Sequence, residues 1–85
     1  IHYVRNDRLI GSDELVLMDA GAKYHHYCND ITRTFPISGK YTAPQWELYE
    51  AVLRVEEQCI ELVKHWRELK ELSITALNYI ANELF

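Results

Sequence analysis

Residues 17–36 read LMDAGAKYHHYCNDITRTFP, and their reading decides the fold. Two aspartates, Asp19 and Asp30, stand eleven positions apart in this stretch, each beside apolar or β-favouring neighbours. Upstream, ELVLMDA (14–20) is an apolar run of strand length. Gly21 closes it, and a turn is expected near 22–24. YHHYCNDITRTF (24–35) then reads as a second strand, rich in Tyr, Thr, Ile and Phe, and Pro36 and Gly39 end it. The two strands are expected to pair antiparallel as a hairpin, with Asp19 at the end of one and Asp30 inside the other. Both carboxylates then fall in half-buried places on facing strands.

Working outward, residues 42–66 read as a helix. Thr42 is a suitable N-cap, Gln45 can complete a capping box, and Pro44 falls in the first turn, where its missing N–H matters little. Leu48, Val52, Val55, Cys59, Leu62 and Val63 recur at helical spacing and are expected to form a core face packed on the sheet. HWRELKEL (65–72) is a join, either continued helix or helical linker. Ser73 reads as the N-cap of a second helix, 73–85, with a stripe of Leu77, Ile80, Ala81 and Leu84. The fold class expected is α+β, within one domain.

The 85 residues carry a formal charge of −4, and their nine basic residues form no run. That disfavours nucleic acid, which needs a basic face. No apolar stretch approaches the roughly 20 residues of a membrane span. A chain this short buries only about 60–65% of its unfolded surface. It is expected to associate with itself or with a missing remainder. It begins with Ile1 and shows no signal peptide or Arg-rich presequence, and it reads as an excerpt of a longer protein. Cys28 and Cys59 fit no CxxC pattern and read as reduced thiols of an intracellular protein.

A hidden carboxylate needs a salt bridge, backbone hydrogen bonds, a proton or a cation. Arg33 could pair with Asp30, and Asp19 could cap a turn. If the hairpin instead brings the two acids together, their repulsion makes the place attractive to a divalent cation. Oxygen donors favour Mg²⁺, Ca²⁺ or Mn²⁺, and added imidazole tilts the choice toward Mn, Fe, Co or Zn. A bridging carboxylate can hold two such ions about 3.5–4 Å apart. Two acids are too few for that, so further ligands must come from elsewhere. His25 and His26 alternate across the strand and read as solvent-facing. Thr32 and Thr34 share a face with Asp30 and could orient it, while Arg33 points the other way. Tyr41, Trp46 and Tyr49 flank the helix start and read as packing residues.

HYVRND (2–7), LVLMDAG (15–21), NDITRTFP (29–36) and GKYTAPQWELYEAVL (39–53) resemble the Xaa-Pro aminopeptidase branch of the pita-bread metallopeptidases. Within that branch the chain looks most like the mitochondrial, intermediate-cleaving type. The resemblance implies that Asp19 is a ligand to one metal, that Asp30 bridges two, and that His2 is the active-site histidine that contacts substrate. It also implies two Mn²⁺ ions and hydrolysis of the first peptide bond of a peptide whose second residue is proline. The family's other ligands, one His and two Glu, lie farther along the chain. His25, His26 and His65 do not occupy their places. The family's Pro-Gly-Thr/Ser turn after the long helix is replaced by KHWRELKELS. The fragment alone is therefore expected to be inactive. A sister activity, Xaa-Pro dipeptidase, and a non-catalytic module on the same scaffold are the alternatives.

Overall fold

The structure is a computed structural model, described here for residues 2–63 and 68–85. The class is α+β, with four short strands followed by two helices. The chain divides into two compact units, residues 1–41 and 42–85.

The first unit is built on one hairpin. Strand β1 (Leu15–Ala20) pairs antiparallel with β4 (Ile31–Pro36), Leu15 facing Pro36 and Ala20 facing Ile31. Between them β2 (Lys23–Tyr24) pairs with β3 (Tyr27–Cys28). Every pair in both ladders is symmetric about the His25–His26 peptide, so this is one long hairpin with a two-residue tip and an interruption at Gly21–Ala22 and Asn29–Asp30. The turn expected at 22–24 is therefore at 25–26, and the expected second strand breaks into β3 and β4. His25 (φ 47°) and His26 (φ 67°) both adopt the left-handed conformation that a two-residue hairpin turn demands. Histidine is among the non-glycine residues that tolerate it best. The Tyr24 ring meets the His25 ring edge-on at 4.1 Å. As expected, both histidines are exposed, but they occupy a turn and do not alternate along a strand.

Pro36 shows why the far end of the hairpin tolerates a proline. Ile37 N–H donates to the Glu14 carbonyl, which makes 14/37 a hydrogen-bonded pair and 15/36 a non-hydrogen-bonded one. The missing N–H of Pro36 thus forfeits no ladder bond. The Tyr41 hydroxyl donates to the Thr34 carbonyl at 2.9 Å and ties the end of the unit back onto β4.

The second unit is a pair of helices, α1 (Ala43–Val63) and α2 (Leu69–Leu84). The capping box forms as expected. Thr42 N–H donates to Gln45 Oε1 at 2.9 Å, and Gln45 N–H donates to Thr42 Oγ1 at 3.4 Å. A cap of this kind is worth about 1 kcal/mol. Trp46 and Tyr49 stack one turn on, with ring centroids 5.8 Å apart. Arg54 forks onto Glu83 through Nε (3.0 Å) and Nη2 (2.8 Å), so α2 runs back along α1.

Among the described residues of this unit, the buried apolar side chains are Ala51 and Val55. The stripe of α1 that turns inward is Ala51, Val55, Cys59 and Leu62; Leu48, Val52 and Val63 are largely exposed. On α2 the half-buried positions are Leu72, Thr75, Ala76 and Tyr79, while Leu77 and Leu84 of the expected stripe are exposed. Both stripes are rotated from the expected ones, with the small Ala51 and Ala76 on the inward faces. Helix α2 also starts four residues before the expected N-cap. Glu68 occupies the cap position with extended backbone and no side-chain cap bond, and Ser73 lies inside the helix. The 65–67 part of the expected join, the end of the helix expected to reach 66, and His65 lie outside the described residues. Cys28 and Cys59 are free thiols. Among the described residues no helix is long and apolar enough to cross a membrane.

Candidate metal centre

The hairpin register decides where the two acids go. Asp19 faces Thr32, and the same symmetry sets Gly21 against Asp30. Side chains at positions 15, 17, 19 and 21 share a face with those at 36, 34, 32 and 30. Asp19 and Asp30 are thus diagonal neighbours by strand alternation, a separation of about 7–8 Å between α-carbons in a regular ladder. The two carboxyl groups lie close enough for Asp19 to raise the proton affinity of Asp30. Thr32 and Thr34 lie on that face, as expected. Arg33 lies on the other and donates from Nη1 to the Thr32 carbonyl at 2.8 Å. No ion pair to Asp19 or Asp30 is seen among the described residues, so the salt-bridge reading of Asp30 does not hold.

One expectation fails. Both aspartates are exposed, because a two-stranded ladder leaves its faces open; Leu17 is 66% exposed and Met18 53%. Beside the acids, the backbone between the two ladders is tied by two bonds. Asn29 N–H donates to the Ala22 carbonyl at 3.1 Å, and Ala22 N–H donates to Asn29 Oδ1 at 2.6 Å. Gly21 makes room for this. A β-carbon there would stand 2.4 Å from the Asn29 carbonyl oxygen. Sequence reasoning took Gly21 as a strand end and passed over Asn29; the signal was a glycine and an asparagine next to the two acids on facing strands.

The Asp30 carboxyl titrates above its ordinary range. The hydrogen bond to Asp19 is the main cause, followed by the Asp19 charge and then desolvation. A raised folded-state value means that the native hairpin holds this proton more tightly than the unfolded chain does. Its contribution to stability is then full below the unfolded value and lost as pH rises through the folded one. Glu14 carries the opposite sign. The Gly11 N–H first, and the Arg8 side chain next, lower its value, so its contribution is lost as pH falls. The Asp30 contribution to the metal-free hairpin is therefore expected to be lost as pH rises through its raised folded-state value, and the Glu14 contribution as pH falls through its lowered one. Carbon-13 carboxyl titration checks this: Asp19→Asn should return the Asp30 midpoint to the ordinary range.

His2 is exposed in the leading segment and does not join the two aspartates in a cluster of ligands. Among the described residues no third His, Cys, Asp or Glu completes a metal-holding group. The donor set present, two converging carboxylates without a cationic partner, fits part of the shell of a hard divalent ion.

The model of metallopeptidase family M24 matches residues 1–85, the whole chain. The chain belongs to metallopeptidase family M24. It is 44% identical to Xaa-Pro aminopeptidase 3 of Dictyostelium discoideum, over 99% of this chain and 16% of that protein. It is 38% identical to the mitochondrial intermediate cleaving peptidase 55 of Arabidopsis thaliana, over 99% of this chain and 17% of that one. The crystal structure of Icp55 from Saccharomyces cerevisiae, bound to the apstatin inhibitor, superposes with a TM-score of 0.88 at 43% identity, covering 99% of this chain and 21% of that one. The chain thus spans about a sixth of the length of the curated M24 relatives it matches. The resemblance drawn from the four sequence blocks and the pita-bread assignment both stand.

Proposed function

We propose that this chain is one part of a longer M24 aminopeptidase that removes the N-terminal residue of peptides, preferably where proline is second. The observation that carries this reading is the β1–β4 register, which brings Asp19 and Asp30 close together on the hairpin, in a chain that matches the family from end to end. Asp19 would hold one divalent ion and Asp30 would bridge two, with Mn²⁺ the favoured metal. Bound there, such ions would supply Lewis-acid charge for hydrolysis of the first peptide bond. The chain's own residues supply orientation. Thr32, opposite Asp19 in the ladder, and Thr34 line the acids' face, and His2 would meet the substrate. The remaining ligands come from the rest of the longer protein, which would also cover exposed apolar side chains such as Leu17, Met18 and Leu77. Self-association of this chain alone would be a substitute for that cover. The similarity to intermediate cleaving peptidases favours a mitochondrial or cytoplasmic location. The two carboxylates converge with no ion pair to either among the described residues, which is why an ion-dependent hydrolase is preferred to a non-catalytic module.

The test uses the longer protein. After chelation and dialysis it should lose hydrolysis of an Xaa-Pro tripeptide by more than about 100-fold, and Mn²⁺ should restore it. A tripeptide also separates the aminopeptidase from a dipeptidase, which acts only on Xaa-Pro itself. The purified 85-residue chain should show no turnover with Mn²⁺. Full activity after exhaustive chelation would sink the reading.

A further inference from the structure

The interruption between the two ladders is a built feature. Counting along the hairpin from the hydrogen-bonded pair 14/37, residues 22 and 29 form another pair of that kind. In a regular ladder such a pair exchanges two main-chain bonds. Here one is present, from Asn29 N–H to the Ala22 carbonyl. The return bond is different, because Ala22 N–H donates to the side-chain Oδ1 of Asn29 at 2.6 Å. The amide oxygen has taken the place of the residue's own carbonyl. That carbonyl is displaced toward Gly21, whose bare α-carbon is what admits it.

The displaced carbonyl belongs to the peptide plane that leads into Asp30. The plane is rigid, so turning its oxygen turns the start of the next residue with it. Local ladder distortions re-aim side chains in this way, and they cluster beside active sites. Aspartate is short, and a regular diagonal leaves little slack for two carboxyl groups to meet.

We propose that Asn29 is a positioning residue for the metal centre: its Oδ1, by accepting the Ala22 N–H in place of the main-chain carbonyl, sets the Asn29–Asp30 peptide so that Asp30 converges with Asp19 on shared divalent ions. The inference rests on the metal reading of Asp19 and Asp30. Asn29's own bonds go to Ala22. It acts through Asp30, and only a side chain with an acceptor at that reach can do it.

The experiment is a Mn²⁺ titration of the metal-free longer protein, following free Mn²⁺ by electron paramagnetic resonance, with thermal unfolding of each metal-free variant alongside. Asn29→Ala should weaken Mn²⁺ binding about 10-fold or more with little change in unfolding temperature. Asn29→Asp, which keeps an oxygen at the same reach, should restore binding. Should Asn29→Ala fail to fold, Asn29→Ser serves, its hydroxyl lying one bond short, and it should be weakened likewise. Binding within twofold of the unsubstituted protein in the folded Ala or Ser variant overturns the proposal, as does an Asp variant no better than the Ala one. Asp30→Asn separates the two levels. If it too binds Mn²⁺ normally, the metal reading falls and takes the proposal with it. If it loses binding while Asn29→Ala keeps it, only the positioning role is lost.

Discussion

Asp30→Asn in the longer protein is expected to lower Mn²⁺-dependent Xaa-Pro hydrolysis by more than about 100-fold, since partners that merely orient a ligand already account for 10–100-fold. The same change should firm up the metal-free hairpin at neutral pH. The two effects have one cause. Asp19 raises the proton affinity of Asp30 through their hydrogen bond and through its charge. With the proton gone and no cation present, the pair is a local repulsion. An amide at position 30 removes that repulsion and can donate to the Asp19 carboxylate, but it offers a far poorer ligand to a hard cation. Hydrogen exchange should therefore show slower amides along 16–20 and 31–37 in the metal-free variant, while adding Mn²⁺ should slow those of the unsubstituted protein only. A structural role alone predicts the reverse, with faster exchange in the variant and no response to metal in either. Activity retained within tenfold would end the bridging role of Asp30.

The acid pair was legible in the sequence because strand periodicity alone assigns faces. Once β1 and β4 pair, residues 19, 32 and 34 fall on one side whatever the turn does, and Asp30 stands next to β4 in the same alternation. The capping box was legible for a similar reason, as Thr42 and Gln45 act within one turn of chain. The tip was not. Gly21 was the conspicuous turn former, whereas His25–His26 adopts two left-handed conformations without glycine or asparagine. The start of α2 was hidden too, because Glu68 caps through its backbone and Ser73, the apparent cap, is an interior residue. The helix stripes were misplaced because hydropathy weights Leu and Val, while Ala51 is one of the buried positions. Burial of the acids was overestimated because strand composition reports what a sheet will meet in its whole protein. A lone hairpin leaves both faces to solvent.

Gly21→Ala should be among the most damaging single substitutions in the first unit, costing about 1–3 kcal/mol, the range for forcing extra carbon into a filled space. The new methyl would stand 2.4 Å from the Asn29 carbonyl oxygen, and that oxygen is backbone, so it cannot swing aside without moving Asp30. Gly39 provides the contrast. It has a positive φ of 81° and nothing near its α-carbon, so its requirement is conformational. Gly39→Asn should be tolerated better than Gly39→Ala, because asparagine accepts the left-handed region. Gly21→Asn should be no better than Gly21→Ala, because bulk is the fault there. Thermal unfolding of the four variants in the longer protein orders them, and Mn²⁺ binding adds the functional axis. Both position-21 variants should lose metal, since the only relief for the clash is to retract the Asn29–Asp30 peptide, whereas the position-39 variants should keep it. A Gly21→Ala protein that binds Mn²⁺ normally would mean that the two strands can part at Asn29 without separating the acids, and the close approach would then serve packing alone.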